Sequence, residues 1–100
     1  MSEIAVSVSA PIRAEVEICN NKGLHARASA KFVKLVSNYD DTRVFVTKDG
    51  NRVDGDSILD LLMLAAGKGS TIEIEADGPQ AQAVVAALIE LVENKFEEEA

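Results

Sequence analysis

The chain has 100 residues, 47 % of them apolar and only 4 % aromatic, so it is long enough for one domain with a modest aliphatic core. Its formal net charge is -7. That balance argues against nucleic acid and anionic membranes as partners, because both need clustered Lys and Arg.

Residues 1–12 read as an extension ended by Pro11. Ala14, Val16 and Ile18 then alternate with Glu15, Glu17 and Cys19, the period of a half-buried strand. Asn20 to Gly23 breaks it with turn residues. From Ala26 the period becomes helical: Ala28, Phe32, Leu35, Val36 and Tyr39 share a stripe, with Arg27, Lys31, Lys34 and Asn38 mostly opposite, and the helix ends near Asn38. Val44 and Val46 alternate with Arg43, Phe45 and Thr47 in a second strand. Asp49-Gly50 signals a hairpin into a short third strand at Arg52 and Val53. Ser57 opens a second helix running to about Ala66, and Ser57-x-x-Asp60 is close to a capping box. A fourth strand carries Ile72 and Ile74. Gly78-Pro79 places proline at the first position of a third helix, whose apolar face is Val84, Val85, Leu88, Leu91, Val92 and Phe96. Residues 97–100 form a solvated acidic tail.

The order is β-α-β-β-α-β-α. A central hairpin excludes an all-parallel sheet, so the fold class is α+β, a four-stranded, mainly antiparallel sheet covered on one face by three helices. The N-terminal stretch lacks the basic region of a signal peptide, and no run approaches the ~20 apolar residues of a membrane helix. The single cysteine, Cys19, rules out an internal disulfide and a multi-thiolate metal site and suits a reducing cytosol. The protein is expected to be a cytoplasmic monomer with no metal and no cofactor.

The segment Lys22-Gly23-Leu24-His25-Ala26-Arg27 lies between the first strand and the first helix. The first amides of a helix lack internal partners and sit at the positive end of its dipole, so they bind phosphate. The backbone of Ala26 and Arg27 and the Arg27 side chain are the candidate phosphate ligands. A phosphoryl group on the His25 ring brings roughly two negative charges, which the dipole favours by ~0.3–2 kcal/mol. On position alone, His25 is better explained as a loop residue capping the helix. A Cys-His dyad would need Cys19, which has no reason to meet the ring, and no Gly-x-Ser-x-Gly turn is present.

Gly23-Leu24-His25-Ala26-Arg27 resembles the active-site motif of the HPr family, the histidine-containing phosphocarriers of the bacterial phosphotransferase system. The resemblance spans residues 13–96, including the order of elements, Asp54-Gly55-Asp56-Ser57-Ile58 and Gly78-Pro79. It implies an open-faced β-sandwich and a stoichiometric carrier rather than an enzyme. His25 would accept a phosphoryl group on Nδ1 from enzyme I and pass it to an enzyme IIA-type protein, in sugar transport or in nitrogen and metabolic regulation, with Arg27 stabilising the phosphate. Two departures stand out: Ala28 follows the arginine where many members have proline, and Lys22 replaces a small polar residue. The run Ala28–Val33 is more like the nitrogen-related branch or proteobacterial HPr than Gram-positive sugar carriers.

The second helix holds more apolar residues than one buried face needs. Ile58, Leu61, Leu62 and Ala65 form a stripe, with Leu59 and Met63 at its edge or outside it. By the resemblance, Ile58, Leu59, Leu62 and Met63, with Ala26, Arg27, Ala30 and Lys34 on the first helix, form the partner interface. Ser57 stands where HPr proteins carry a serine phosphorylated by HPr kinase, and it is expected to cap the second helix whether or not it is phosphorylated. The rival readings are a regulatory or ligand-binding α/β module without covalent chemistry, and an enzyme using His25 as an acid or base. An open sandwich of this size offers the latter no evident deep pocket.

Overall fold

The computed structural model describes residues 10–98. The expected N-terminal extension up to residue 9 and the last two residues of the acidic tail lie outside the described residues. The elements are β1 (Ile12–Glu17), α1 (Ala26–Val36), β2 (Arg43–Lys48), β3 (Asn51–Asp54), α2 (Ile58–Met63), β4 (Thr71–Asp77) and α3 (Ala81–Glu93), closed by a single 3-10 turn at Lys95–Glu97.

The sheet has the order β1-β4-β2-β3 and every pair is antiparallel. The register aligns Ala14, Ile74, Val46 and Val53 in one row across all four strands. Because side chains alternate along each strand, Val16, Ile72, Ile74, Ala76, Val44 and Val46 are all buried on one face. The helices cover that face: Ala28, Phe32 and Val36 of α1, Leu61 of α2, and Ala81, Val84, Val85, Leu88 and Val92 of α3 complete the core. The opposite face is open and polar. There Glu75 meets Arg13 at 3.6 Å and Arg52 at 3.3 Å, and the Arg52 guanidinium lies 3.9 Å from the centre of the Phe45 ring. The β2–β3 turn has positive φ at both Asp49 and Gly50, the geometry that matches the twist of a tight hairpin.

Several boundaries differ from the pattern-based expectations. Strand β1 starts at Ile12, inside the stretch read as an extension, and stops at Glu17. Ile18 continues as a buried loop residue whose amide donates to Ser70 O. Helix α1 stops at Val36, where the Ser37 hydroxyl donates to Lys34 O. Helix α2 stops at Met63, not near Ala66, because the chain turns left-handed at Ala65 (φ 52°). Pro79 is not the first residue of α3. It sits in a turn set by Gly78 (φ 140°), and α3 begins at Ala81. Phe96 is buried as expected, but it lies beyond α3, in the terminal turn.

Candidate functional site

The loop from Asn20 to His25 is held on both sides. Gly23 adopts φ 66°, and a Cβ there would lie 2.5 Å from Ala66 O, so only glycine fits. Leu24 N donates to Ala66 O at 2.9 Å, and Ser29, fully buried in α1, donates its hydroxyl to Leu24 O at 3.1 Å. The Asn20 amide donates to Gly23 O at 2.8 Å. These bonds tie the end of β1, the start of α1 and the exit of α2 into one rigid corner.

His25 is the N-cap of α1. Its backbone is extended, and its Nδ1 accepts from the Arg27 amide at 3.2 Å, the role usually played by Asn, Asp or Ser. The first turn of α1 carries no acid. On a chain of net charge -7, this helix contributes Arg27, Lys31 and Lys34 and no carboxylate, so its start is locally favourable to an anion. Arg27 is exposed at the same end. A shallow depression of about 300 Å³ beside His25 is lined by Lys22, Leu24, Leu62, Ala65, Ala66 and Gly67. Lys22, noted in the sequence only as a departure from the family pattern, thus stands at the rim of this depression.

The other ring nitrogen has a partner that pattern reading missed. His25 Nε2 is hydrogen-bonded to Glu98 Oε2, and Asn20 Nδ2 donates to Glu98 Oε1 at 3.0 Å. The side chains of His25 and Glu98 are only 25 % and 15 % exposed, so the pair is shielded from solvent. Burial pushes the Glu98 carboxyl up. The hydrogen bonds from Asn20 and His25 and the charges of His25 and Lys31 outweigh that effect and hold it below its ordinary value of 4.5. The acidic tail is therefore not wholly solvated as expected. Phe96 plugs into the core, the Lys31 ammonium donates to Phe96 O at 2.7 Å and meets Glu97 at 3.7 Å, and Glu98 is carried back onto the loop. An aromatic placed just past the last helix was the one available signal. Glu98 itself is 73 residues from His25, beyond any local pattern.

The other expected residues are arranged as follows. Ala26, Arg27, Ala30 and Lys34 are exposed along α1. On α2, Leu59 is 72 % and Met63 80 % exposed, Ile58 is partly exposed, and Leu62 is half-buried. The expected stripe of Ile58, Leu61, Leu62 and Ala65 does not form. Leu61 is its only buried member, and Leu64 takes the second core position, because the helix ends a turn early. Ser57 caps α2, its Oγ accepting from the Asp60 amide at 3.2 Å. The Cys19 thiol donates to Val92 O at 3.3 Å, on α3. Among the described residues no group of acids, His and Cys could hold a metal ion, and no helix is long and apolar enough to cross a membrane.

The antiparallel sheet covered on one face by helices, with an imidazole capping the first of them, places the chain among the open-faced α+β sandwiches. The family model described as "PTS HPr component phosphorylation site" matches residues 12–94. The chain is 44 % identical over 87 residues to phosphocarrier protein HPr of Cupriavidus necator, covering 87 % of this chain and 97 % of that one. It is 36 % identical over 88 residues to phosphocarrier protein NPr of Escherichia coli, covering 88 % and 98 %. The crystal structure of HPr-C-His from Thermoanaerobacter tengcongensis superposes with a TM-score of 0.84 at 34 % identity, covering 89 % and 99 %. The chain belongs to the HPr family of the phosphotransferase system, whose members are phosphocarriers rather than catalytic enzymes.

Proposed function

We propose that His25 carries the phosphoryl group on Nδ1, receives it from phosphorylated enzyme I and passes it to an enzyme IIA-type protein of the sugar-transport or nitrogen-related system. The observation that carries this reading is the direction of Nδ1, which faces the first amides of α1 at 3.2 Å from Arg27 N. A phosphoryl group on that atom can take over the amide now bonded to the ring. Arg27, exposed beside it, adds a charge-assisted bond. Transfer of this kind depends on positioning and charge stabilisation, which an open helix end supplies without holding the group too firmly to release. The patch of Ile58, Leu59, Leu62 and Met63, continued by Ala26, Ala30 and Lys34, is the docking surface in this reading, because large exposed apolar side chains beside the site favour a partner.

Incubation with phosphoenolpyruvate and cognate enzyme I is expected to add one acid-labile phosphate, and His25→Ala to abolish it. A wild-type protein that gains no label refutes the carrier role. Offering the labelled protein to IIA proteins of both systems identifies its acceptor. We further propose Ser57 as the site of a second, regulatory phosphorylation; label from an HPr kinase that survives Ser57→Ala removes that role.

A further inference from the structure

We propose that Glu98 is a positioning residue for phosphoryl transfer at His25, fixing the imidazole in the tautomer that leaves the Nδ1 lone pair available. The inference rests on the reading of His25 as the phosphoryl carrier. A neutral imidazole carries one N–H and one lone pair, and either nitrogen can hold the proton. An ionised carboxylate can only accept, so the contact with Glu98 requires the proton on Nε2. The Arg27 amide can only donate, so its bond to Nδ1 requires the lone pair there. Both contacts select the same tautomer from opposite sides of the ring and fix its plane, the logic of a histidine oriented through its second nitrogen.

The carboxylate is itself held in place. Asn20 donates both to Gly23 O and to Glu98 Oε1, and its buried Oδ1 has no hydrogen-bond partner among the described residues. The two acceptors thus set the amide's orientation even though its own oxygen is left unsatisfied. Lys31 anchors the backbone two residues earlier through Phe96 O. In the transfer step, the Nδ1 lone pair forms the new bond to phosphorus. The bond from phosphorus to the donor breaks, and its electron pair leaves with the donor. The ring then bears phosphoryl on Nδ1 and a proton on Nε2, and its positive charge faces the Glu98 carboxylate. On delivery the Nδ1–phosphorus bond breaks, its electron pair remains on Nδ1, and the neutral ring is restored with the Nε2 proton never having left.

The test compares full-length wild type with Glu98→Ala and Glu98→Gln. Long-range nitrogen–proton correlation spectra of the His25 ring report which nitrogen is protonated. Phosphorylation by enzyme I and phosphoenolpyruvate gives kcat and KM for the carrier. The Nε2–H tautomer is expected to dominate in wild type and to give way to a mixture in Glu98→Ala, with kcat for phosphoryl acceptance falling about tenfold and KM unchanged. Glu98→Gln, which keeps an acceptor but loses the charge, is expected to fall between them. A Glu98→Ala protein with wild-type ring spectra overturns the proposal, whether its rate is normal or reduced, since a reduced rate then comes from docking. A shifted tautomer with an unchanged kcat overturns it as well. A wild type that takes no label overturns the carrier reading and this proposal together, and is thereby distinguished from the outcomes in which only Glu98 fails.

Discussion

The candidate site depends on a few residues whose identity is fixed by geometry rather than by packing alone. Gly23 is the clearest. Its φ of 66° and the 2.5 Å approach of Ala66 O leave no room for a Cβ. Gly23→Ala combines left-handed strain with a backbone clash, so it is expected to cost about 2–4 kcal/mol in urea unfolding. It should also displace His25, because Leu24 N and Gly23 O are both committed to bonds that set the loop. An alanine variant of wild-type stability would show that the loop can rearrange around Ala66. His25 and Ser57 offer a parallel at the same scale. Each caps a helix with a side-chain acceptor, but only the imidazole has a second ring atom to be held by something else.

At the scale of elements, α2 and the terminal turn both place side chains near His25, by different means. Helix α2 is short, buries Leu61 and leaves Leu59 and Met63 in solvent. Leu59→Glu removes no core contact, so its effect on thermal unfolding is expected to be within ~0.5 kcal/mol. It should raise KM for enzyme I about tenfold, roughly 1.4 kcal/mol of docking energy. An unchanged KM would move the docking surface elsewhere. The terminal turn works against backbone preference. Lys95, Phe96 and Glu97 all have positive φ, at ~1–2 kcal/mol each for residues with a Cβ. Burying Phe96 returns ~1.5–3 kcal/mol and the charged bond from Lys31 a further ~1.5–3 kcal/mol. The turn is thus nearly balanced and stays closed through these two anchors.

At the scale of the whole molecule, the last turn couples the C-terminal end of the described chain to the loop after the first strand, and that coupling depends on pH. The Glu98 carboxyl is held below its ordinary value of 4.5 in the folded protein, so the unfolded chain binds the proton more readily. Its contribution to stability is therefore fully present above pH 4.5 and is lost as pH falls through the lower, folded value. The stability difference between wild type and Glu98→Gln is expected to shrink as pH falls below 4.5, measured by urea unfolding across a pH series. A difference that grows on acidification would reverse the sign and place the Glu98 charge at a cost to the fold.

The sequence by itself determined the order of elements, because a period of two or of 3.6 and the turn residues between them are local properties. Val16 and Ile72, Phe32 and Val84 each announced a buried face within a few neighbours. The position of His25 at a helix start was legible for the same reason, since Asn20 to Gly23 ends one period and Ala26 begins another. Only the tertiary structure decided where α2 stops and what touches the second nitrogen of His25. Helix α2 ends early because Ala65 must turn to bring Ala66 O to Leu24 N, a contact between segments 42 residues apart by number (66 minus 24). Glu98 reaches His25 because Phe96 is drawn into a core built by elements from both ends of the chain. Such contacts are paid for by packing between distant segments, and no local pattern of residues encodes them.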